Sequence, residues 1–202
     1  MSTNRLESFS DGVLAVAITL LVLDITVPHA TAHASLGHEL AHNWPQYAAY
    51  ATSFITIGII WINHHVMISR LREADHMILI LNLLLLMSIG VLPFATALMA
   101  EYLTQAQGQH LAAVVYGGSL LVMSALFGEL NRHILLRKSH FLVSPMPEQR
   151  RRQIRNRAAL GLVPYAVATA LGLVSAYATL VICAAVGVYY ALPVASGLER
   201  SS

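Results

Sequence analysis

Hydrophobic residues come in blocks long enough to cross a bilayer, with polar residues clustered in the short stretches between them. A spanning helix needs about 20 mostly apolar residues. The blocks over residues 6–27, 44–68, 77–100 and 111–134 each meet that length. A further block, residues 158–195, is roughly twice as long as one span requires. It is too long for a single helix and long enough for a tight helical hairpin, with the break placed near Ser175-Ala176-Tyr177. The pattern predicts an all-α, polytopic membrane protein with six transmembrane helices in one domain over residues 1–202. Pro93 in the third span and Pro164 in the fifth are expected to bend or start helices, because proline lacks the amide N–H and clashes with the preceding turn.

Composition agrees. The chain is 56% hydrophobic and only 11% charged, where soluble domains carry about a quarter charged residues. The net charge of +2 matters less than where the charges lie. Arg5 precedes the first span, Arg70 and Arg72 lie between the second and third, and Arg132, Arg137, Lys138, Arg150, Arg151, Arg152, Arg155 and Arg157 fall at the end of the fourth or before the fifth. Arg200 is near the C-terminus, and the other three loops carry no Lys or Arg. Cationic loops stay in the cytoplasm, so both termini are expected there, which requires an even number of spans. Met1–Arg5, the first apolar run and Ala30-Thr31-Ala32 together imitate a cleavable signal peptide, but Ser10 and Asp11 are out of place in a secretory apolar core. The single cysteine, Cys183, excludes an intrachain disulfide and a cysteine-based zinc site, and reads as a small apolar packing residue.

The first span is the unusual one. Asp11 and Asp24 stand about 20 Å apart along a helix, against a hydrocarbon thickness of about 30 Å. An ionisable residue at that depth should face protein or water and have a partner. With about 100° of turn per residue, Gly12, Val16, Thr19, Leu20 and Leu23 form one stripe, which Arg5 and Phe9 extend. Ser10 lies nearly opposite, and Asp11 sits at the edge of the stripe. Depth along antiparallel helices brings Trp61, Asn63, His64 and His65 from the second span and Asn82 from the third to the level of Ser10 and Asp11. A buried hydrogen-bond network is expected there, since polar side chains in lipid need internal partners.

Arg5-x-x-x-Phe9-Ser10-Asp11, followed by Gly12-Val-Leu-Ala-Val-Ala-Ile-Thr19-Leu20-Leu-Val-Leu23, resembles the hallmark of the endolysosomal potassium-channel family called transmembrane protein 175, in particular its short prokaryotic members. The six-span layout is similar too. The resemblance implies a cation channel with a modest preference for potassium, and no enzyme or cofactor. Vertebrate members carry two six-span repeats. One repeat here implies a homotetramer in the prokaryotic plasma membrane, its central pore lined by the first helix of each subunit. Carried over by position, Val16, Leu20 and Leu23 are the constriction and Thr19 holds the hydroxyl linked to ion preference. Valine is smaller than the isoleucine or leucine often found at the first of these levels.

No Thr-Val-Gly-Tyr-Gly-like filter is present, so rings of backbone carbonyls are not the expected selectivity device. A hydrophobic constriction, which gates by excluding water, is. Asp24 is placed at the outer mouth, where its field would concentrate cations. Tyr116-Gly117-Gly118 reads as small-residue helix packing. The histidine pairs His29/His33 and His38/His42 have helical metal-ligand spacing, but a solvated loop is the plainer reading. The basic run at Arg150, Arg151, Arg152, Arg155 and Arg157 is expected to meet anionic inner-leaflet lipids rather than nucleic acid. Two other function classes stay open. One is a proton-coupled carrier or proton pathway using Asp11 and His64/His65. The other is a membrane-embedded enzyme, against which no nucleophile–base pair or metal-ligand set recurs at one level outside the Asp/His cluster.

Overall fold

A computed structural model describes residues 3–27 and 35–191, with the side chains of residues 157–160 outside that description. His29, His33, Ala30-Thr31-Ala32, Arg200, the end of the last apolar block (192–195) and the Arg157 side chain therefore lie outside the described residues. Helices are α1 (Thr3–Leu20), α2 (Leu36–His42), α3 (Trp44–Ile68), α4 (His76–Gly90), α5 (Leu92–Tyr102), α6 (Gln109–Arg132), α7 (Glu148–Leu160), α8 (Leu162–Gly172) and α9 (Ala176–Ala191). Among the described residues there is no β-strand; an isolated antiparallel bridge joins Leu71 to Leu142.

Among the described residues, four helical stretches are long and apolar enough to cross a membrane: Thr3–Asp24, Trp44–Ile68, His76–Tyr102 and Gln109–Arg137. In place of the expected fifth and sixth spans stands a hairpin of shorter apolar helices, α8 and α9, broken at residues 173–175, two residues earlier than the expected Ser175-Ala176-Tyr177, so that Ala176 and Tyr177 already belong to α9. The third stretch is interrupted at Val91, and Pro93 falls in the first turn of α5, where its missing N–H leaves nothing unsatisfied. Pro164 likewise sits in the first turn of α8.

The first span ends earlier than its hydropathy suggests. The α-helix stops at Leu20, Leu21–Asp24 form a 3₁₀ turn, and the backbone is extended at Ile25. Thr26 is tied there to Gln46, whose Oε1 accepts from the Thr26 N–H at 3.1 Å. Two helices lie in stretches read as loops: α2, N-capped by Ser35, whose oxygen accepts from the His38 N–H, and the strongly basic α7.

Helix α6 lies at the centre, against α4, α5, α8 and α9, while α1 sits at the periphery against α3 and α4. The α6–α8 crossing is close because glycine permits it. A Cβ on Gly117 would come within 3.0–3.2 Å of Thr169, and one on Gly172 within 3.1 Å of the Val114 backbone. The Tyr116-Gly117-Gly118 sequence is therefore a packing seam. Tyr116 turns inward from it, and its hydroxyl lies 3.0 Å from Ser53 Oγ, which is also 2.8 Å from Thr96 Oγ1. Cys183 is buried in the same core. Gly108, at φ +88°, makes the left-handed turn into α6.

Candidate functional site

Helix α1 has two unlike faces. Leu6, Ser10, Leu14 and Ala17, followed by Leu21, are all buried against the rest of the subunit. Their spacing of three and four residues is that of a single helix face. The other face is uncovered: Phe9, Val16, Leu20 and Leu23 are 54, 57, 42 and 73% exposed, and Arg5, Gly12 and Thr19 are exposed with them. Between Phe9, Gly12, Val16 and Leu20 on one side and Gly90 on the other runs an open groove of about 540 Å³.

The Thr19 hydroxyl donates to the carbonyls of Ala15 and Val16, each at 2.9 Å. Its hydrogen is thus held by the backbone, which leaves the oxygen with acceptor capacity only. At the far end a second groove is lined by Leu23, Asp24, Gln46 and Glu101 among others, so two carboxylates share that mouth.

The buried face is fixed by polar contacts as well as by packing. Ser10 Oγ donates to Leu6 O at 2.9 Å and accepts from Asn82 Nδ2 at 3.0 Å. Asn82 Oδ1 lies 2.7 Å from His64 Nε2. The order of donors follows from this arrangement: with the serine hydrogen given to Leu6, the amide nitrogen must face Ser10, so the amide oxygen must accept and Nε2 must carry the hydrogen. His64 Nδ1 is left buried without a partner among the described residues. Ser10, His64 and Asn82 are fully buried, as a polar cluster at membrane depth should be.

Beside this cluster runs a ladder. Trp61 Nε1 donates to Asp11 Oδ1 at 2.9 Å, and His65 Nδ1 meets Glu7 Oε1 at 2.6 Å. Glu7 and Asp11 are four residues apart on α1, and Trp61 and His65 four apart on α3. One order ascends as the other descends, which is what antiparallel helices in register produce. The structure thus brings together Ser10, Asp11, Trp61, His64, His65 and Asn82. Arg5 and Phe9 are not among them: both point to the uncovered side and make no polar contact among the described residues. Asn63 bonds back to Ile59 O. Glu7 is a partner that sequence reasoning missed, although its position one turn before Asp11 was a signal. The stacked His38 and His42 rings, 6.5 Å apart, have no third ligand: among the described residues no group of three metal-ligating side chains exists.

At the basic end, Asp75 caps α4 by accepting from the Ile78 N–H at 2.9 Å and meets Lys138 Nζ at 2.9 Å. Burial alone would raise its carboxyl, but the lysine and the backbone N–H outweigh it and hold Asp75 below the ordinary carboxylate value. Glu148 is likewise held low by Arg152, one turn along α7.

Comparison with known proteins accords with this architecture. The sequence model of the family described as endosomal/lysosomal potassium channel TMEM175 matches residues 5–93, the part of the chain that holds the α1 face and its polar anchor. A potassium channel of Streptomyces collinus is 42% identical over 188 residues, covering 93% of this chain and 91% of its own. The crystal structure of a lysosomal potassium-selective channel TMEM175 homologue from Chamaesiphon minutus superposes with a TM-score of 0.83 at 37% identity, over 94% of this chain and 96% of that one. The endosomal/lysosomal proton channel TMEM175 of Gallus gallus is 41% identical over 110 residues, half of this chain and 22% of its own length.

Proposed function

The chain belongs to the TMEM175 family of membrane cation channels, and from that premise we propose that it prefers potassium and conducts through a central pore lined by α1 from four identical subunits. Six spans per subunit, with both termini in the cytoplasm of a prokaryotic plasma membrane, complete this reading. The observation that carries it is the uncovered face of α1. Val16, Leu20 and Leu23 are large apolar residues left open on a helix whose other side is buried. Four such faces around an axis cover one another, whereas one face alone has nothing to cover it.

In the closed state, rings of Leu20 and Leu23 exclude water, since a narrow apolar constriction dewets. Val16 forms a wider ring, being the smaller side chain. In the open state α1 tilts or turns so that Thr19 oxygens face the path and offer a cation partial replacement for its hydration shell. Asp24, with Glu101 near it, raises the cation concentration at the outer mouth. The clamps from Ser10 and Asp11 hold the inner half of α1 to its own subunit, and the basic α7, with Arg150, Arg151, Arg152, Arg155 and Arg157, meets anionic inner-leaflet lipids. No cofactor is needed; the permeant potassium ion is the ligand.

Potassium and sodium flux into liposomes holding the purified protein, together with its mass in detergent, tests this. Faster potassium flux and a four-subunit mass are expected; equal flux of both ions removes the preference, and a monomeric mass removes the pore. A proton pathway through Asp11 and His64/His65 fits the geometry less well. The polar chain from Ser10 to His64 passes through the Asn82 amide, which has no exchangeable acid or base form near neutral pH, and it ends at an unpartnered His64 Nδ1.

A further inference from the structure

The end of the first span is set by a choice of acceptor. The apolar run continues past Leu20 to Ile25, and Pro28 is the first residue beyond it that opposes an α-helix. In an α-helical continuation the Ile25 N–H would donate to Leu21 O and the Thr26 N–H to Val22 O. Neither bond forms. The Ile25 N–H meets Val22 O at 3.1 Å, and Ile25 itself is extended at φ −81° and ψ 103°. The Thr26 N–H is taken instead by Gln46 Oε1 at 3.1 Å.

Gln46 stands on a firm base. It lies in the first turn of α3, its own N–H bonded to Asn43 O at 3.1 Å. Pro45 before it is buried, and Trp44 stacks on Tyr177 of α9 with ring centroids 6.2 Å apart. The side-chain amide has one way round: a backbone N–H only donates, so the amide oxygen must face it. Nε2 then lies 3.1 Å from Thr26 Oγ1, which accepts, and the hydroxyl also stands 3.3 Å from Oε1. Gln46 and Thr26 line the outer groove together with Leu23, Asp24 and Glu101.

We propose that Gln46 is a positioning residue for Leu23 and Asp24: by holding the Thr26 N–H it keeps the last turn of α1 in its 3₁₀ form. The competing acceptor, Val22 O, belongs to the turn itself. When the turn rewinds, the Thr26 N–H exchanges one acceptor for another and the Ile25 N–H moves from Val22 O to Leu21 O, so no backbone donor is stranded. A contact from outside the segment therefore tips the choice between the two windings. With Gln46 gone, Val22 O is the acceptor that remains along the chain, and the α-helix extends through Asp24. Leu20 and the residues before it keep their places, because the change begins after them. What this does to conduction rests on the pore reading of α1; the effect on the winding does not.

Two measurements on the purified full-length protein test this separately. The chain has three Ile–Thr pairs, Ile18-Thr19, Ile25-Thr26 and Ile55-Thr56; the first and last lie within α-helices, and Ile25 is extended. With isoleucine labelled at its carbonyl carbon and threonine at its nitrogen, NMR in detergent reads these carbonyls alone, two of them serving as helical references. In Gln46→Leu the Ile25 carbonyl shift should move into the helical range while the references stay. In Gln46→Glu, which keeps an acceptor for the Thr26 N–H, it should stay at its natural value. An unmoved Ile25 signal in Gln46→Leu, an equal move in Gln46→Glu, or a move of all the pairs together overturns the proposal. The second measurement is basal potassium flux in liposomes. Gln46→Leu should change it severalfold. Adding Thr26→Pro, which leaves no N–H for Val22 O to accept, should return it toward the natural level, and Ile25 already has the extended backbone that a residue before proline requires. A flux change that Thr26→Pro leaves in place overturns the role of that N–H, since a merely loosened protein is not repaired by proline. A helical Ile25 with unchanged flux sustains the positioning and removes Leu23 from the conducting path.

Discussion

The Trp61 indole donates to the Asp11 carboxylate at 2.9 Å, and this bond joins α1 to α3. One turn away His65 meets Glu7, and on the buried side Asn82 bridges Ser10 and His64. The inner half of α1 is therefore held by three side-chain links to two helices. Beyond Asp11, residues 12–23 make no side-chain hydrogen bond to another helix among the described residues. The helix is anchored at one end and free along the face that carries Val16, Thr19, Leu20 and Leu23.

Replacing Asn82 with leucine removes both halves of the bridge and leaves the His64 N–H without an acceptor. The expected loss is about 1–3 kcal/mol, or several degrees in Tm, read by thermal unfolding of the purified protein. An unchanged Tm would show that the bridge contributes nothing to stability.

Trp61→Phe keeps the ring and deletes the donor to Asp11. A smaller fall in Tm is expected than for Asn82→Leu, because Asp11 and Trp61 are partly open to solvent whereas Ser10, His64 and Asn82 are fully buried. The reverse order of effects would locate the main anchor in the ladder rather than the buried bridge.

On the proposed constriction, Leu20→Ala and Leu23→Ala would each widen an apolar ring by three carbons per subunit. Basal potassium flux in liposomes should rise severalfold in at least one of them, with Tm nearly unchanged, since both side chains are exposed in the subunit. If neither variant leaks, the gate lies elsewhere.

Gly117→Val places a branched side chain where even a Cβ would stand 3.1 Å from the Thr169 backbone. Helix backbones do not yield readily, so α6 and α8 must separate. A cost of about 1–3 kcal/mol is expected. Gly118→Ala, whose nearest contact is 4.0 Å away, should be tolerated, and comparing the two Tm values checks the seam.

Asp75 supplies a pH dependence with a definite sign. Its carboxyl is held below its ordinary value of 3.8 in the folded chain, so its contribution is fully present above 3.8 and is lost as pH falls through the lower folded value. The Tm gap between the natural chain and Asp75→Asn should narrow as pH drops from 6 toward 3. Because the Asp75–Lys138 pair is about one quarter exposed on each side, the gap corresponds to no more than about 1 kcal/mol for the ion pair. A gap that widens on acidification would contradict the assignment.

Much of the anchor was legible because polar residues inside apolar runs have few places to go. Ser10, Asp11, Trp61, His64 and Asn82 were brought together by depth along antiparallel helices alone. Glu7 was passed over because an acid near the end of a first helix is ordinary in itself, and only its spacing from Asp11 distinguished it. The two faces of α1 followed from angular position, since the same spacing that buries Leu14 and Ala17 leaves Val16 and Leu20 outside. The 3₁₀ turn at Leu21–Asp24 was not legible: the same residues suit either helix, and the choice is made by the tie at Thr26–Gln46 and the packing of Leu21. Helix α7 was hidden by its charge. Its run of arginines reads as loop unless the Glu148–Arg152 spacing is given weight.

That short 3₁₀ turn has a mechanical meaning. Its pitch advances about 2.0 Å and 120° per residue, against about 1.5 Å and 100° in an α-helix. Rewinding Leu21–Asp24 into α-helical form would draw the outer end inward by about 2 Å and swing Leu23 through roughly 60°, while Leu20 and everything before it stayed where it was. A rotation of that size changes the side of α1 on which Leu23 stands. The segment is thus a screw thread at the tip of the helix, able to turn Leu23 without disturbing Leu20.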